Sequence, residues 1–103
     1  MTDIGRLHEE LVARVLGNKA TATTQMRRVA FDDSCLDEPM RTLVAKVAHN
    51  ADQVSDDDIA DARAAGLSED QIFEIVVCAA IGQADRQYRS ALAALAAATG
   101  RPT

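Results

Sequence analysis

The feature that most constrains this chain is a segment that is apolar almost all round, residues 72–81 (IFEIVVCAAI), whose only charged residue is Glu74. Residues 68–71 (SEDQ) before it have the spacing of a capping box, in which the serine and glutamine side chains satisfy backbone N–H groups at a helix start. A helix that is apolar on every side has to be covered on most sides. We therefore predict a central helix here, with either a kink or a close helix crossing at Gly82.

Shorter helical patterns surround this segment, and no alternating pattern typical of a strand occurs. The sequence predicts an all-α fold of about five to six helices in one domain spanning residues 1–103, with a frayed tail at 99–103. Before the central helix we expect a helix over residues 3–16, a loop over 17–24, a short helical turn through Met26, Val29 and Phe31, a helix that starts near Pro39, and one between Ser55 and Gly66.

The composition limits how much surface one copy can bury. Hydrophobic residues make up 48% of the chain, but aromatic residues make up only 3%. The core must therefore consist of Leu, Ile, Val and many Ala residues, which bury little area each. A domain of 103 residues has little stability to spare, so we expect neighbouring copies of the chain to supply the missing burial.

Charge and targeting signals narrow the class of protein. The formal net charge of −5 disfavours nucleic acid and anionic membrane surfaces as partners. No apolar run approaches the ~18 residues of a membrane span, and the first residues lack the pattern of a secretory signal. These observations predict a soluble, cytoplasmic protein. Cys35 and Cys78 have no metal-binding spacing, so we expect free thiols, no metal and no cofactor.

The segment from residue 54 to 75, VSDDDIADARAAGLSEDQIFEI, followed by VVCAA and later by LAAL, resembles the carboxymuconolactone decarboxylase and alkylhydroperoxidase D-like superfamily. The resemblance covers about residues 36–95. It implies an all-α subunit of the alkylhydroperoxidase D-like fold that assembles into trimers, hexamers or other ring-like homo-oligomers, and it implies a small organic ligand.

The catalytic motif of the thiol peroxidase branch is missing. That branch has C-x-x-C-x-x-x-H before the Ala-Gly turn, with the histidine eight residues before the glycine. In this chain, the position eight residues before Gly66, where that branch has its histidine, holds Asp58. The two cysteine positions hold Ala51 and Val54. A disulfide relay needs two thiols within bonding reach, one of them with a lowered pKa. The resemblance therefore implies a member of the superfamily without the redox motif.

The decarboxylase branch keeps a histidine where this chain has Asp58. An acidic residue there would repel a dicarboxylate that a cationic group would hold. The leading hypothesis is a non-redox carboxymuconolactone decarboxylase-like protein that binds a small molecule or acts as an accessory protein. One alternative is an enzyme with a reworked site, in which Asp58, Glu74 and His49 act as acid and base on a small organic substrate. A second alternative is a scaffold for another protein.

Other chemistry-bearing residues have simpler interpretations. Asp56, Asp57 and Asp61 suit the start of a helix better than a metal site. Glu74 is expected to pair with Arg86, with Arg89 or with an arginine of another subunit, and His8 is expected on the surface. Tyr88, with the two arginines near it, is expected at a contact between subunits. Neither cysteine looks activated, because Cys35 lies among acidic residues and Cys78 among apolar ones.

Overall fold

The computed structural model describes residues 2–17, 22–34 and 36–100, although the side chains of residues 2–4 are not part of that description. These ranges contain no strand, so the all-α prediction is confirmed for them. Among them, no helix combines the length and the apolarity that crossing a membrane requires. The helices are α1 (Thr2–Val15), α2 (Thr24–Asp32), α3 (Met40–His49), α4 (Asp56–Ala64) and α5 (Glu69–Thr99), with a short 3₁₀ turn at Ala51–Gln53.

Helix α5 is the centre of the fold, as the sequence predicts. Its 31 residues span about 46 Å, nearly the full 50 Å length of the molecule, and the other four α-helices all pack against it. The predicted capping box is confirmed. Ser68 Oγ accepts a hydrogen bond from the Gln71 amide at 3.1 Å, and Gln71 Oε1 accepts one from the Ser68 amide at 2.9 Å.

The core lies along one side of α5. Ile72, Ile75, Cys78 and Ala79 are buried there, and α2, α3 and α4 contribute the other buried side chains. The opposite side of α5 is open, and Phe73 is 68% exposed. Within residues 72–81 only Phe73 and Ala80 are exposed, so the expectation that this segment is covered on most sides is confirmed, and one narrow strip of it stays open. The core residues from the other helices are Ala30, Phe31, Met40, Leu43, Val44 and Ala62.

Gly82 is the site of a close crossing, and α5 continues through it without interruption. A Cβ atom at position 82 would lie 1.9 Å from the carbonyl oxygen of Phe31, at the end of α2. Arg86, one turn further along α5, donates a hydrogen bond of 2.6 Å to the same carbonyl oxygen. The last carbonyl groups of a helix lack partners within it, so Arg86 satisfies one of them.

The corner between α4 and α5 also follows the sequence. Gly66 has a φ of 101°, the left-handed conformation that ends α4, and the Leu67 amide donates back to the Ala62 carbonyl at 3.3 Å. Ser55 caps the start of α4, as predicted. Residues 24–32 form a full helix instead of a short turn, with Thr23 as the N-cap. The end of the predicted tail, residues 101–103, lies outside the described residues.

We predict that Gly82→Ala destabilises the fold by about 2 kcal/mol or more, because the new methyl group would collide with backbone at Phe31. Urea unfolding followed by circular dichroism measures the change. The matched control is Gly5→Ala in α1, where the added Cβ would meet only the Tyr88 hydroxyl at 3.9 Å. This control is expected to gain about 0.5–1 kcal/mol, since alanine suits a helix better than glycine. Equal effects of the two substitutions would contradict the close crossing.

Candidate functional site

Asp58, at the position where the resemblance implies a catalytic histidine, is the third residue of α4 and faces α3. Its carboxylate accepts hydrogen bonds from the Ser55 amide at 2.9 Å and from Lys46 Nζ at 2.9 and 3.0 Å. The Ser55 hydroxyl in turn accepts from the Asp58 amide, so Ser55 and Asp58 form a second capping box. The side chain is therefore fixed between a helix cap and a lysine.

The ionisation of Asp58 follows from these contacts. The hydrogen bond from Lys46 and then the backbone hydrogen bond from Ser55 hold the pKa of the Asp58 carboxyl below its usual range, against a smaller opposing effect of burial. The group is an ionised, paired carboxylate at neutral pH. General acid catalysis needs the opposite shift, a raised pKa that keeps a proton available.

The neighbours of Asp58 in the missing redox motif are also structural. Ala51 is exposed in the 3₁₀ turn, and half-buried Val54 packs against the core. The other acidic residues of this turn, Asp56, Asp57 and Asp61, are exposed. Within the described part of the chain, no three His, Cys, Asp or Glu side chains come together in a group that could hold a metal ion.

His49, the second candidate, is at the end of α3 and binds a different part of the chain. Its Nε2 lies 2.8 Å from Asp33 Oδ2, and its side chain is about half exposed. Asp33 is the C-cap of α2 and has the left-handed φ of 50°. His49 therefore joins the ends of α2 and α3, whereas Asp58 joins the start of α4 to the middle of α3.

Glu74, the third candidate, contacts the segment between α1 and α2. The Ala22 amide donates a hydrogen bond of 2.6 Å to Glu74 Oε2. Arg86 and Arg89, the pairing partners expected within the chain, bind elsewhere: Arg86 binds the Phe31 carbonyl and Gln83, and Arg89 binds Asp85. Asp58, His49 and Glu74 are thus each tied to a separate segment.

Among the charged side chains that the structure describes, Arg27 is the most deeply buried, at 2% exposure, and the sequence interpretation overlooked it. Its Nε donates to the Ala22 carbonyl at 3.2 Å, and its Nη1 donates to the Val15 carbonyl at 2.9 Å. The amide and the carbonyl of Ala22 are therefore bound by opposite charges, Glu74 on α5 and Arg27 on α2. We call this arrangement the Ala22 clamp; it connects the end of α1, the start of α2 and the second turn of α5.

Cys78 lies beside the Ala22 clamp and is almost fully buried, at 1% exposure. Its thiol donates a weak hydrogen bond to the Val15 carbonyl at 3.8 Å. Burial raises the pKa of the Cys78 thiol; Arg27 opposes this effect and Glu74 adds to it. The prediction of an unactivated thiol is confirmed, because nucleophilic cysteines need a lowered pKa and access to solvent. Cys35 lies outside the described residues.

A second polar cluster joins α1 to α5, and it shows that the surface prediction for His8 is wrong. His8 Nε2 lies 2.7 Å from Asp85 Oδ1, and the His8 side chain is only 18% exposed. The Tyr88 ring packs on the His8 ring with centroids 4.4 Å apart, and Arg89 donates to the same Asp85 at 3.0 Å. Burial acts to raise the pKa of Asp85, but the hydrogen bonds from His8 and Arg89 outweigh it and lower that pKa.

The spacing of the sequence held a signal for the overlooked residues. Arg27 precedes the buried Ala30 and Phe31 by three and four residues, so it shares their helix face. Asp85 follows Gly82 by three residues in the same way. Charged residues are almost never fully buried unless they are paired. For this reason the sequence interpretation did not include Arg27 or Asp85 in the core, although their spacing matches that of buried neighbours. Their partners lie in distant segments, which the sequence does not identify.

No family model, no curated protein and no solved structure matches this chain. Membership of the carboxymuconolactone decarboxylase superfamily therefore stays a prediction, based on the motif between residues 54 and 75.

We predict that Asp58→Asn lowers the free energy of unfolding at pH 7 and that the difference from the unsubstituted chain shrinks below about pH 4. The folded-state pKa of Asp58 is lowered, so the ionised group stabilises the fold above the ordinary carboxyl pKa, and that contribution is lost as the pH falls through the folded-state value. Urea midpoints at pH 7 and pH 3 measure the effect. Asp57→Asn, an exposed neighbour, is the control. A difference that is the same at both pH values would contradict the structural role of Asp58.

We predict that Arg27→Leu destabilises the fold by about 3 kcal/mol, because it leaves the buried Ala22 carbonyl without its donor and the part-buried Val15 carbonyl with only the weak bond from Cys78. Arg28→Leu, on the adjacent residue, removes an exposed ion pair with Asp32 and the contact of the Arg28 guanidinium with the Phe31 ring at 6.0 Å, and it is expected to cost about 1 kcal/mol. Chemical denaturation of the two variants in parallel makes the comparison. Similar losses would show that the Ala22 clamp does not hold the fold together.

Proposed function

We propose that this chain is a non-redox carboxymuconolactone decarboxylase-like protein, a homo-oligomer that binds a small molecule or acts as an accessory protein and has no thiol peroxidase activity. The observation that carries the proposal is the state of Cys78. Its thiol is buried, is bonded to the Val15 carbonyl and has a raised pKa. A peroxidatic thiol needs the reverse of each property, since the thiolate is the nucleophile and must reach its substrate.

The position of Asp58 supports the same proposal. A thiol–disulfide relay needs two cysteines whose Cα atoms lie within about 7 Å, and the two positions concerned hold Ala51 and Val54. The third position holds Asp58, whose negative charge is paired with Lys46 and with the cap of α4. Such a pair offers no unpaired cation to hold a carboxylate substrate, so the decarboxylase reaction of the family is also disfavoured.

The alternative of a reworked acid–base enzyme receives less support. A general acid and base have to face one substrate within hydrogen-bond reach of its reacting atoms. Asp58 binds Lys46 and Ser55, His49 binds Asp33, and Glu74 binds the Ala22 amide. Each of these side chains connects two segments of the fold, so its substitution is expected to disturb the packing of those segments.

Exposed apolar side chains support the homo-oligomer in this proposal. Leu7 and Leu11 on α1 are 59% and 42% exposed, and Phe73 and Leu95 on α5 are 68% and 58% exposed. Single exposed apolar residues are normal, but neighbouring ones mark an interaction surface, and Leu7 and Leu11 lie one turn apart on α1. Aromatic residues make up only 3% of the chain, and one of its two phenylalanines is exposed. A single copy therefore leaves apolar surface that a second copy can cover.

We predict that the protein shows no hydroperoxide turnover above the uncatalysed rate in the presence of a dithiol reductant. The assay follows loss of cumene hydroperoxide with dihydrolipoamide as reductant, with the Cys78→Ser variant as the matched control. The two proteins are expected to give the same background rate, because the Cys78 thiol is protonated and covered. Turnover that disappears in Cys78→Ser would overturn the proposal.

A further inference from the structure

The open side of α5 carries a regular stripe of small and apolar residues. Starting at Phe73, its members recur at alternating spacings of four and three residues, which is the heptad spacing of helices that pack along their length. We call this face the α5 stripe. It runs through Phe73, Val77, Ala80, Ala84, Gln87 and Ala91 and ends at Ala98.

Apart from half-buried Val77, the α5 stripe is exposed in one copy of the chain. Phe73 is 68% exposed, and Ala80, Ala84 and Ala91 are also exposed. The buried residues of α5, among them Ile75 and Gly82, lie on the opposite side of the helix. Within the described ranges, the other helices pack on that buried side, so the stripe is available to a partner.

The α5 stripe contains no charged residue, although the chain as a whole is rich in charged residues. Charged residues make up 26% of the sequence and the net charge is −5, yet the stripe carries none. Its flanks are also uncharged at Gln83, Ser90 and Leu95, and the flanking Glu74 is bound to the Ala22 amide. Two identical acidic chains repel each other unless they meet on a neutral face. The stripe therefore suits a second copy of this chain.

Side-chain size sets the direction of pairing. The bulky residues, Phe73 and Val77, stand at one end of the stripe, and the other end has only alanine. In a parallel pair, two phenylalanines would meet at one end and two alanines at the other, and the helix axes would have to splay. In an antiparallel pair, each bulky residue meets a small one, and the distance between the axes stays constant near the lower limit of about 8 Å.

We propose that the α5 stripe packs antiparallel against the same stripe of a second copy, about a two-fold axis between Ala84 and Gln87. In this register Phe73 lies against the partner's Ala98, Val77 against the partner's Ala94, and Ala80 against the partner's Ala91. Each contact occurs twice, as a self-complementary two-fold interface requires. The register also brings the two Gln87 amides within one helical turn of each other, where a polar pair fixes the alignment.

The inference rests on the homo-oligomer in the proposed function and specifies the face that builds it. Light scattering coupled to size exclusion measures the mass. The unsubstituted protein is expected at an even multiple of the chain mass of 11.0 kDa. Ala84→Glu, which places like charges beside the axis, is expected to halve that mass or reduce it further. Ala93→Glu, an exposed alanine on the other side of α5, is the matched control and is expected to keep the mass unchanged.

Disulfide trapping tests the register. In a Cys35→Ser, Cys78→Ala background, Ala80→Cys together with Ala91→Cys is expected to give a covalent dimer under mild oxidation. The two positions lie about 16 Å apart along one helix, too far to bond within a chain. Ala80→Cys together with Ala98→Cys, shifted by one heptad, is the control, and its yield of dimer is expected to be at least tenfold lower.

The outcomes separate this inference from the proposed function. A monomeric mass of 11.0 kDa for the unsubstituted chain overturns both, and it would be the result if a different protein covers the stripe. An oligomer that survives Ala84→Glu, or that cross-links as well through the shifted pair, overturns the α5 stripe and leaves the oligomer in place. Loss of mass in Ala84→Glu with cross-linking at 80 and 91 supports both.

Discussion

The contact of α2 with α5 at the Phe31 carbonyl is the constraint on which the rest of the fold depends. Gly82 lets the two backbones approach to a distance that no side chain would permit, and Arg86 binds the same carbonyl oxygen. Because α2 is fixed there, Arg27 reaches the carbonyl groups of Val15 and Ala22 from the buried face of that helix. The position of α1 follows, since its last turn is held by Arg27 and its middle is held by the pairing of His8 with Asp85.

Charged side chains in this protein serve as connections between segments. Arg27 and Glu74 bracket Ala22, Asp85 receives His8 and Arg89, and Asp58 receives Lys46 while capping α4. No buried side-chain nitrogen or oxygen in the described ranges lacks a hydrogen-bond partner. A partly satisfied group would leave capacity for a substrate, whereas satisfied networks rigidify a core. In the described part of the chain, these paired charged side chains therefore act as structural connections.

Local signals in the sequence predicted local structure well. The Ser68–Gln71 capping box, the Ser55 cap and the left-handed Gly66 depend on residues three or four positions apart, so spacing alone defines them. The candidate site was harder to predict, because its contacts join distant segments. His8 meets Asp85 across 77 positions, and Glu74 meets Ala22 across 52. The three candidate residues were selected by their side-chain chemistry. Their partners depend on how the helices pack against each other, and the residue pattern of a single helix does not show that packing.

The scarcity of aromatic residues has an explanation on both sides of α5. On the inner side, Ala79 and Gly82 leave room for the backbone of α2, and larger residues there would push the helices apart. On the outer side, Ala80, Ala84 and Ala91 leave equal room for a second helix. An isolated helix does not need small residues on a face exposed to water, where Lys or Glu would be nearly as helical and more soluble. Small residues on both sides are expected of a helix that packs closely on two sides, so the composition and the antiparallel pairing of α5 share one physical cause.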